Sequence, residues 1–272
     1  MLTRGGLSTD RILRAIGKAI YATYIAAIFL FLVGPIAVVI IMSFNSALYI
    51  SFPPRELSLI WYAKYFSDPI YISSSQASIT VGLAAVICST IIGTLAAYSL
   101  HRYRPPLHGI INALLLSPLL LPGVVMGLAL TYTFSFLGIQ RSLLGVVIGH
   151  SLYVLPFVVV LVSAALQNCE RSLEETAMSL GATEAYAFRT ITLPLVFPGI
   201  VSGALFALIM SLDEFIITFL LAGVHVITLP IRIFSSLKFA VDPTITAAST
   251  VFIFATTVLY LFALGLRRRQ GL

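Results

Sequence analysis

The amino-acid sequence predicts an all-α membrane protein with six transmembrane helices. Hydrophobic residues make up 59% of its 272 positions and charged residues only 10%, whereas a soluble domain carries about 25% charged residues. The apolar residues are concentrated in six runs, each long enough to cross a bilayer core about 30 Å thick as a helix. Because lipid offers the backbone no hydrogen-bond partners, each run is expected to be helical, with lipid as its main solvent.

The predicted spans differ in regularity. They are placed at residues 19–44, 76–100, 109–137, 143–167, 196–222 and 244–266. The first follows four basic residues, as in a signal peptide, but it is longer than the apolar core of about 7 to 15 residues that such a peptide has. We interpret it as a permanent span. The third contains Pro118, Pro122, Gly123 and Gly127, so its helix is expected to be locally broken.

Lys and Arg fall mostly on one side of the predicted membrane. Eleven of the sixteen lie in the two termini and in the second and fourth connections, and five lie in the other three connections. Cytoplasmic segments are enriched in these residues. Both termini are therefore predicted to be cytoplasmic.

The fourth connection has the pattern of two short helices. Ser172, followed three residues later by Glu175, predicts a capping box at the start of the first helix. Gly181 is suited to end that helix, Thr183 to cap the second, and Pro194 to end it. Apolar residues recur at helical spacing on both helices: Leu173, Ala177 and Leu180, then Ala185, Phe188 and Ile191. From periodicity alone, a hairpin lying on the membrane surface is as good an interpretation as a docking element.

The amino-acid sequence of this connection resembles that of the cytoplasmic loop of ABC-importer permeases. The signature of that loop is Glu-Ala-Ala, three residues, Gly, nine residues, Ile, any residue, Leu-Pro. Here it reads Glu175-Thr176-Ala177, then Gly181, then Ile191-Thr192-Leu193-Pro194, with Thr176 as the one departure. The chain is therefore identified as similar to the inner-membrane permease subunits of binding-protein-dependent ABC importers, which implies their type I fold.

The resemblance implies that this connection, residues 168–195, docks in a groove of an ATPase subunit, as helices with apolar anchors do. The residues expected to carry this coupling are Glu174, Glu175, Ala177, Gly181, Ala182, Phe188, Ile191, Leu193 and Pro194. For Glu175, a role in capping its own helix and a contact to the ATPase are both open.

Other segments are similar to the branch of that family that imports polyamines, such as spermidine and putrescine. They are residues 61–66, Ser211 to Phe215, Thr228-Leu229-Pro230, Ser235 and Asp242-Pro243. Branches that carry opines, aminophosphonates or iron have similar outer segments, so these substrates stay open as alternatives. The resemblance further implies one permease domain over 1–272, with a peripheral first span and a core over 73–266 in a bacterial inner membrane.

The sequence lacks the ATP-binding motif that it would need to drive transport without a partner. Its only Gly-Lys pair, Gly17-Lys18, is followed by Ala19 and is no phosphate-binding loop. We therefore expect no cofactor on this chain, with ATP bound by a partner. The partners implied are two ATPase subunits, a second permease that is usually a different chain in the polyamine branch, and a periplasmic substrate-binding protein. Nucleic acid is not expected, because the basic residues do not cluster on one face.

Two other classes of protein are disfavoured. An intramembrane enzyme would need a metal motif or a nucleophile with its base, but His101, His108, His150 and His225 are scattered, and the two cysteines have no metal-ligand spacing. His150 is expected to be a satisfied structural residue. A secondary transporter, which needs no ATPase, would show inverted repeats, and none is evident.

The fifth predicted span carries two adjacent carboxylates, Asp213 and Glu214, well inside the apolar run. On a continuous helix Glu214 would share a small, polar stripe with Ser211 and Thr218, so Ser211, Asp213, Glu214 and Thr218 are candidates for a translocation pathway. The alternative is an interfacial anchor or an ion pair with an arginine such as Arg232.

Overall fold

The protein folds almost entirely into α-helices, as the sequence predicts. A computed structural model describes residues 6–223, 225–239 and 242–269. The helices are α1 (Gly6–Met42), α2 (Ile60–Ser67), α3 (Pro69–Tyr103), α4 (His108–Leu116), α5 (Gly123–Phe136), α6 (Leu143–Gln167), α7 (Arg171–Ser179), α8 (Glu184–Ala187), α9 (Leu193–Asp213), α10 (Ile216–Ala222), α11 (Leu229–Phe239) and α12 (Thr244–Arg269). Within the described ranges, extended pairing is limited to one antiparallel bridge between Asn45 and Leu57.

Five helical segments are long and apolar enough to cross a membrane. They are Leu13–Met42, Pro69–Tyr103, Leu143–Gln167, Glu184–Asp213 and Thr244–Gly265. A sixth span is obtained when the bent pair His108–Leu119 and Gly123–Phe136 is taken as one crossing. Each of the six predicted runs therefore contains membrane-length or paired helix, with breaks in the third and fifth described below.

The third span is sharply broken, which confirms the expectation drawn from its prolines. The two halves of the bent pair meet at an angle of 106°. Pro118 lies in a 3₁₀ turn, Ser117–Leu119, and Pro122 adopts an extended backbone immediately before α5, with φ −56° and ψ 135°. A proline has no amide hydrogen to donate and its ring displaces the preceding turn, so two of them within five residues end one helix and restart another.

The chain forms two compact units. The first comprises residues 1–65 and 241–250, and the second residues 66–240 and 251–272. Within the first unit, the Ser43 hydroxyl lies 2.6 Å from the Tyr62 hydroxyl. None of the apolar window of α1 is buried within the protein.

The first unit also contains an exposed ion pair. Lys64 Nζ lies 2.8 Å from Asp242 Oδ2. Partial burial opposes ionisation of Asp242, but hydrogen bonds from Lys64 and Thr244 outweigh it and lower the pKa of this carboxyl below its usual range. The pair joins the end of α2 to the start of α12.

The core of the second unit is built on close packing of α3, α6 and α9. Small residues allow the approach: a Cβ placed on Gly199 of α9 would lie 2.4 Å from Ala165 Cβ of α6, and one on Gly203 would lie 3.2 Å from Val158 Cα. Helices in lipid associate through such close packing because burial from lipid gives no hydrophobic gain.

The second loop helix does not end at Pro194, so that prediction is wrong. Helical structure continues from Glu184 to Asp213, passing through a π turn at Phe188–Thr192. In this turn the Leu193 amide bonds to the Phe188 carbonyl, five residues earlier. The wider turn places Pro194 at the beginning of α9, where a proline is tolerated because the first amides of a helix have no partner in it.

Candidate functional site

The predicted functional residues lie in or next to two places in the second unit. One is the loop hairpin, which we define as residues 171–187, and the other is the Glu214 break, which we define as residues 214–215 between α9 and α10. From Leu193 to Asp213, α9 has 21 residues, about 30 Å at a rise of 1.5 Å per residue. The two places therefore lie at opposite ends of the fifth span.

The turn of the loop hairpin has the two local features that the sequence predicts. Gly181 follows α7 with φ +94°, a conformation that side chains with a Cβ rarely adopt. Thr183 then caps α8, because its hydroxyl accepts a hydrogen bond from the Tyr186 amide at 3.3 Å. The chain therefore reverses at Gly181 and restarts as a helix within three residues.

The predicted capping box is absent. Helix α7 begins at Arg171 and its N-cap is Glu170, so Ser172 already lies in the first turn. The Ser172 hydroxyl donates to the Glu170 carboxylate at 3.3 Å, while Glu175 accepts from Arg171 Nε at 2.8 Å. The capping role considered for Glu175 is thus replaced by an ion pair with the residue four positions earlier.

The outer edge of the hairpin is apolar and exposed. Leu180 is 84% exposed and Tyr186 62% exposed. These two side chains border a shallow concavity whose other lining residues are Ala177, Gly181, Ala182 and Thr183. Of the remaining predicted coupling residues, Glu175 and Pro194 are exposed, whereas Phe188, Ile191 and Leu193 are half-buried.

Glu174 points the other way and is only 5% exposed. Arg102 of α3 places its Nε 3.1 Å from one carboxylate oxygen, and the Tyr98 hydroxyl lies 3.4 Å from both. The Thr192 hydroxyl, in the π turn, also donates to this carboxylate. Sequence reasoning missed Arg102 and Tyr98 because they lie more than 70 residues from Glu174 in the chain. It missed the role of Thr192 because the π turn that brings this hydroxyl to Glu174 was not predicted.

The Glu214 break changes the interpretation of the fifth span. Helix α9 ends at Asp213, and Glu214 has an extended backbone with φ −70° and ψ 115°. Its Oε1 accepts a hydrogen bond from the Ile217 amide at 2.6 Å and so caps α10. The continuous helical stripe on which Glu214 was placed therefore does not exist. Asp213 is exposed, whereas Glu214 is only 8% exposed.

His150 holds the two sides of this break together. Its Nδ1 lies 2.8 Å from the Ser211 hydroxyl of α9, and its Nε2 lies 2.6 Å from the Thr218 hydroxyl of α10. A neutral imidazole offers one donor and one acceptor, and each hydroxyl can take the complementary role. The expectation that His150 is a satisfied structural residue is confirmed, and Ser211 and Thr218 are seen to be its partners.

Three aromatic rings cluster at the Glu214 break. Phe215 packs on Phe219 and Phe234, with ring centroids 5.4 Å and 4.8 Å away. The Arg232 guanidinium instead lies over the Tyr71 ring at 5.0 Å. Among the described residues it forms no ion pair with Asp213 or Glu214, so the arrangement does not support the alternative of a structural ion pair there.

A profile described as "Binding-protein-dependent transport system inner membrane component" matches residues 89–270, a range that includes both places. The chain belongs to this family. The family consists of transport components rather than catalysts, and the chain is accordingly a permease component of an ABC importer.

Individual relatives cover most of the permease. The spermidine/putrescine transport system permease protein PotC of Escherichia coli strain K12 is 29% identical over 244 residues, which span 90% of this chain and 92% of the relative. The putrescine transport system permease protein PotI of the same strain is 33% identical over 248 residues, or 89% and 88% of the two chains.

A solved structure shares the fold. A chain of a bacterial ABC transporter involved in the import of the acidic polysaccharide alginate superposes with a TM-score of 0.74, covering 97% of this chain and 98% of that chain at 18% identity. At that identity the similarity establishes the fold alone.

We predict that His150→Ala destabilises the permease. The change leaves the buried Ser211 and Thr218 hydroxyls without their partner, at a cost of about 1–3 kcal/mol for each group. The midpoint of thermal unfolding in detergent should fall by several degrees. The matched control is Ser151→Ala on the same helix, because the Ser151 hydroxyl bonds only to the Val147 carbonyl of its own helix. Equal midpoints for the two variants would contradict the role of His150.

Proposed function

We propose that this permease forms part of the translocation pathway of an importer for polyamines. The observation that carries the proposal is the combination of carboxylates and aromatic rings at the Glu214 break. The sequence relatives support it, because PotC and PotI are named as components of spermidine and putrescine transport systems.

The Glu214 break has the chemistry that a flexible polycation needs. Asp213 is exposed at the end of α9, where the negative end of the helix dipole adds to its own charge. Phe219 and Phe234, which pack on Phe215 of the break, expose about half of their surfaces, and ring faces attract ammonium groups while accommodating methylene chains. Glu214 contributes a second carboxylate from its buried capping position. Fixed charges of this kind lower the barrier for a cation that leaves water.

The rest of the machinery is supplied by partners. We propose two ATPase subunits, a second permease that is a different chain, and a periplasmic protein that delivers the substrate. ATP binds to the ATPase subunits, so this chain needs no cofactor. Family membership supports the dependence on a binding protein, since the matched family is defined by it.

The loop hairpin is the part that we propose docks on the ATPase. Its exposed Leu180 and Tyr186 are apolar anchors, and Glu175 lies beside them as a polar flank. Exposed apolar side chains on a short helix outside the membrane are typical of helix-in-groove binding. This assignment places the hairpin in the cytoplasm, together with both termini, and the Glu214 break on the periplasmic side of an inner membrane.

We predict that loss of negative charge at the break slows polyamine uptake. Asp213→Asn and Glu214→Gln should each reduce the initial rate of labelled putrescine or spermidine uptake by about tenfold, which corresponds to about 1.4 kcal/mol. Glutamine can still accept from the Ile217 amide, so the cap on α10 is retained. Uptake is measured in a strain that lacks the importer and is complemented with all its subunits.

The control for this test is Asp68→Asn. Asp68 also caps a helix through a carboxylate, which accepts from the Ile70 amide at 2.8 Å, and asparagine caps as well as aspartate. This variant should transport normally. Wild-type uptake by both Asp213→Asn and Glu214→Gln at normal protein level would refute the pathway assignment. Uptake of an opine, an aminophosphonate or iron in place of polyamines would refute the substrate.

We predict that Gly181→Val impairs coupling to the ATPase. No atom lies within 4 Å of the position that a new Cβ would occupy, so the expected effect is backbone strain of about 1–2 kcal/mol at positive φ. Less ATPase subunit should co-purify with this variant, and uptake should fall. Gly181→Asn is the control, because asparagine tolerates positive φ. Identical behaviour of the two variants would exclude a role for the turn conformation.

The orientation has its own test. In a background without Cys88 and Cys169, single cysteines at Arg55 and Lys238 should react with a membrane-impermeant thiol reagent added to intact spheroplasts. A cysteine at Arg189 should stay unlabelled until the membrane is opened. Arg55 and Lys238 are exposed in the protein, so folding does not hide them. The reverse labelling pattern would overturn the orientation.

A further inference from the structure

The buried Glu174 carboxylate joins three segments of the permease. It belongs to α7, its ion-pair partner Arg102 belongs to α3, and Thr192 lies in the π turn that leads into α9. Both charged side chains are more than nine-tenths buried, with relative exposures of 9% for Arg102 and 7% for Glu174. These residues are separate from the exposed apolar edge, Leu180 and Tyr186, by which the hairpin is proposed to dock on an ATPase.

The covalent connections of the hairpin are unequal. On one side it runs into α9 as continuous helix from Glu184 to Asp213. On the other side α7 follows α6 after three residues, 168–170, and the chain makes no direct connection to α3. Helix α3 therefore meets the hairpin only indirectly along the chain, and it is coupled to α9 by packing within the membrane core.

Side-chain contacts add a direct connection between α3 and the hairpin. Arg102 Nε lies 3.1 Å from Glu174, and its Nη1 lies 3.6 Å from the neighbouring Glu175. Two further contacts lie alongside: the Tyr98 ring packs on Phe188 with centroids 4.5 Å apart, and the Tyr103 hydroxyl donates to Glu184. The end of α3 is therefore fixed to both helices of the hairpin.

Burial makes this connection stiff. A carboxylate and a guanidinium removed from water must stay together, because separation would leave each charge buried without a partner. Glu174 also accepts from Tyr98 and Thr192, so moving it would break bonds to two spans at once. An exposed pair such as Arg171 and Glu175 exchanges with water easily and holds its partners weakly.

We propose that Glu174 and Arg102 are positioning residues that transmit movement of the hairpin to the second span, α3. The proposal rests on the proposed docking of the hairpin on an ATPase. The two adjacent glutamates have different roles. Glu174 faces the spans and connects the hairpin to the membrane helices, whereas Glu175 is exposed and flanks the docking edge. Movement driven by ATP would then carry α3 and α9 together.

The test uses the complete importer with spin labels on this chain. Cysteines at Ser179 of α7 and His101 of α3, both exposed, are labelled in a background without Cys88 and Cys169, and their distance distribution is measured by pulsed EPR. Glu174→Gln should broaden the distribution, because a neutral amide no longer holds the guanidinium. Glu170→Gln, an equal change of charge at an exposed position of the same loop, should leave the distribution narrow.

The functional arm measures uptake per ATP hydrolysed in proteoliposomes. Glu174→Gln should lower this ratio by about fivefold or more, the low end of coupling effects between sites, with the ATPase subunits still bound and hydrolysing. Arg102→Gln should do the same, and the double variant should be no worse than either single one, because the two residues act as a pair. If Glu174→Gln does not accumulate, Arg102→Gln carries both measurements.

The outcomes separate this proposal from hairpin docking. A narrow distance distribution in Glu174→Gln, with normal uptake per ATP in both Glu174→Gln and Arg102→Gln, would overturn the proposed connection through Glu174 and Arg102. A broadened distribution in Glu174→Gln, with ATPase binding that is indifferent to Gly181→Val, retains the link and overturns the docking. Additive losses in the double variant would also overturn the link, because independent effects indicate general destabilisation rather than a shared contact.

Discussion

Lipid offers no hydrogen-bond partner, so each backbone or side-chain polar group within the spans needs a partner in the protein. This constraint explains where the permease departs from regular helix. At the Glu214 break the freed Ile217 amide is satisfied by the Glu214 carboxylate, and the hydroxyls on either side are satisfied by His150. Irregular backbone at membrane depth is thus stabilised by polar side chains from neighbouring segments.

The two ends of the fifth span use carboxylates in opposite ways. At the loop hairpin, Glu174 is buried against Arg102 and has a structural partner for its charge. Next to the Glu214 break, Asp213 is exposed and has no cation among the described side chains within ion-pair distance. In the functions proposed here, the partnered carboxylate transmits movement of the hairpin and the exposed one attracts a cationic substrate.

Close packing connects these ends. Gly199 and Gly203 bring α9 against Ala165 and Val158 of α6, and such contacts leave little freedom for α9 to slide or bend between the hairpin and the break. The helix is continuous from Glu184 to Asp213. In the proposed mechanism, this helix carries a displacement of the hairpin to the Glu214 break.

The sequence by itself determined the features that depend on local chemistry. Apolar length required the spans, Pro118 and Pro122 required a break in the third, and the turn at Gly181 and the cap at Thr183 followed from residue type. A local pattern can also mislead: Ser172 and Glu175 have the spacing of a capping box, yet the nearby residues Glu170 and Arg171 are their partners instead. Only the tertiary structure decided the rest. The hydroxyl contacts of His150 across the Glu214 break and the pairing of Glu174 with Arg102 depend on residues distant in sequence, which meet only after the helices have packed.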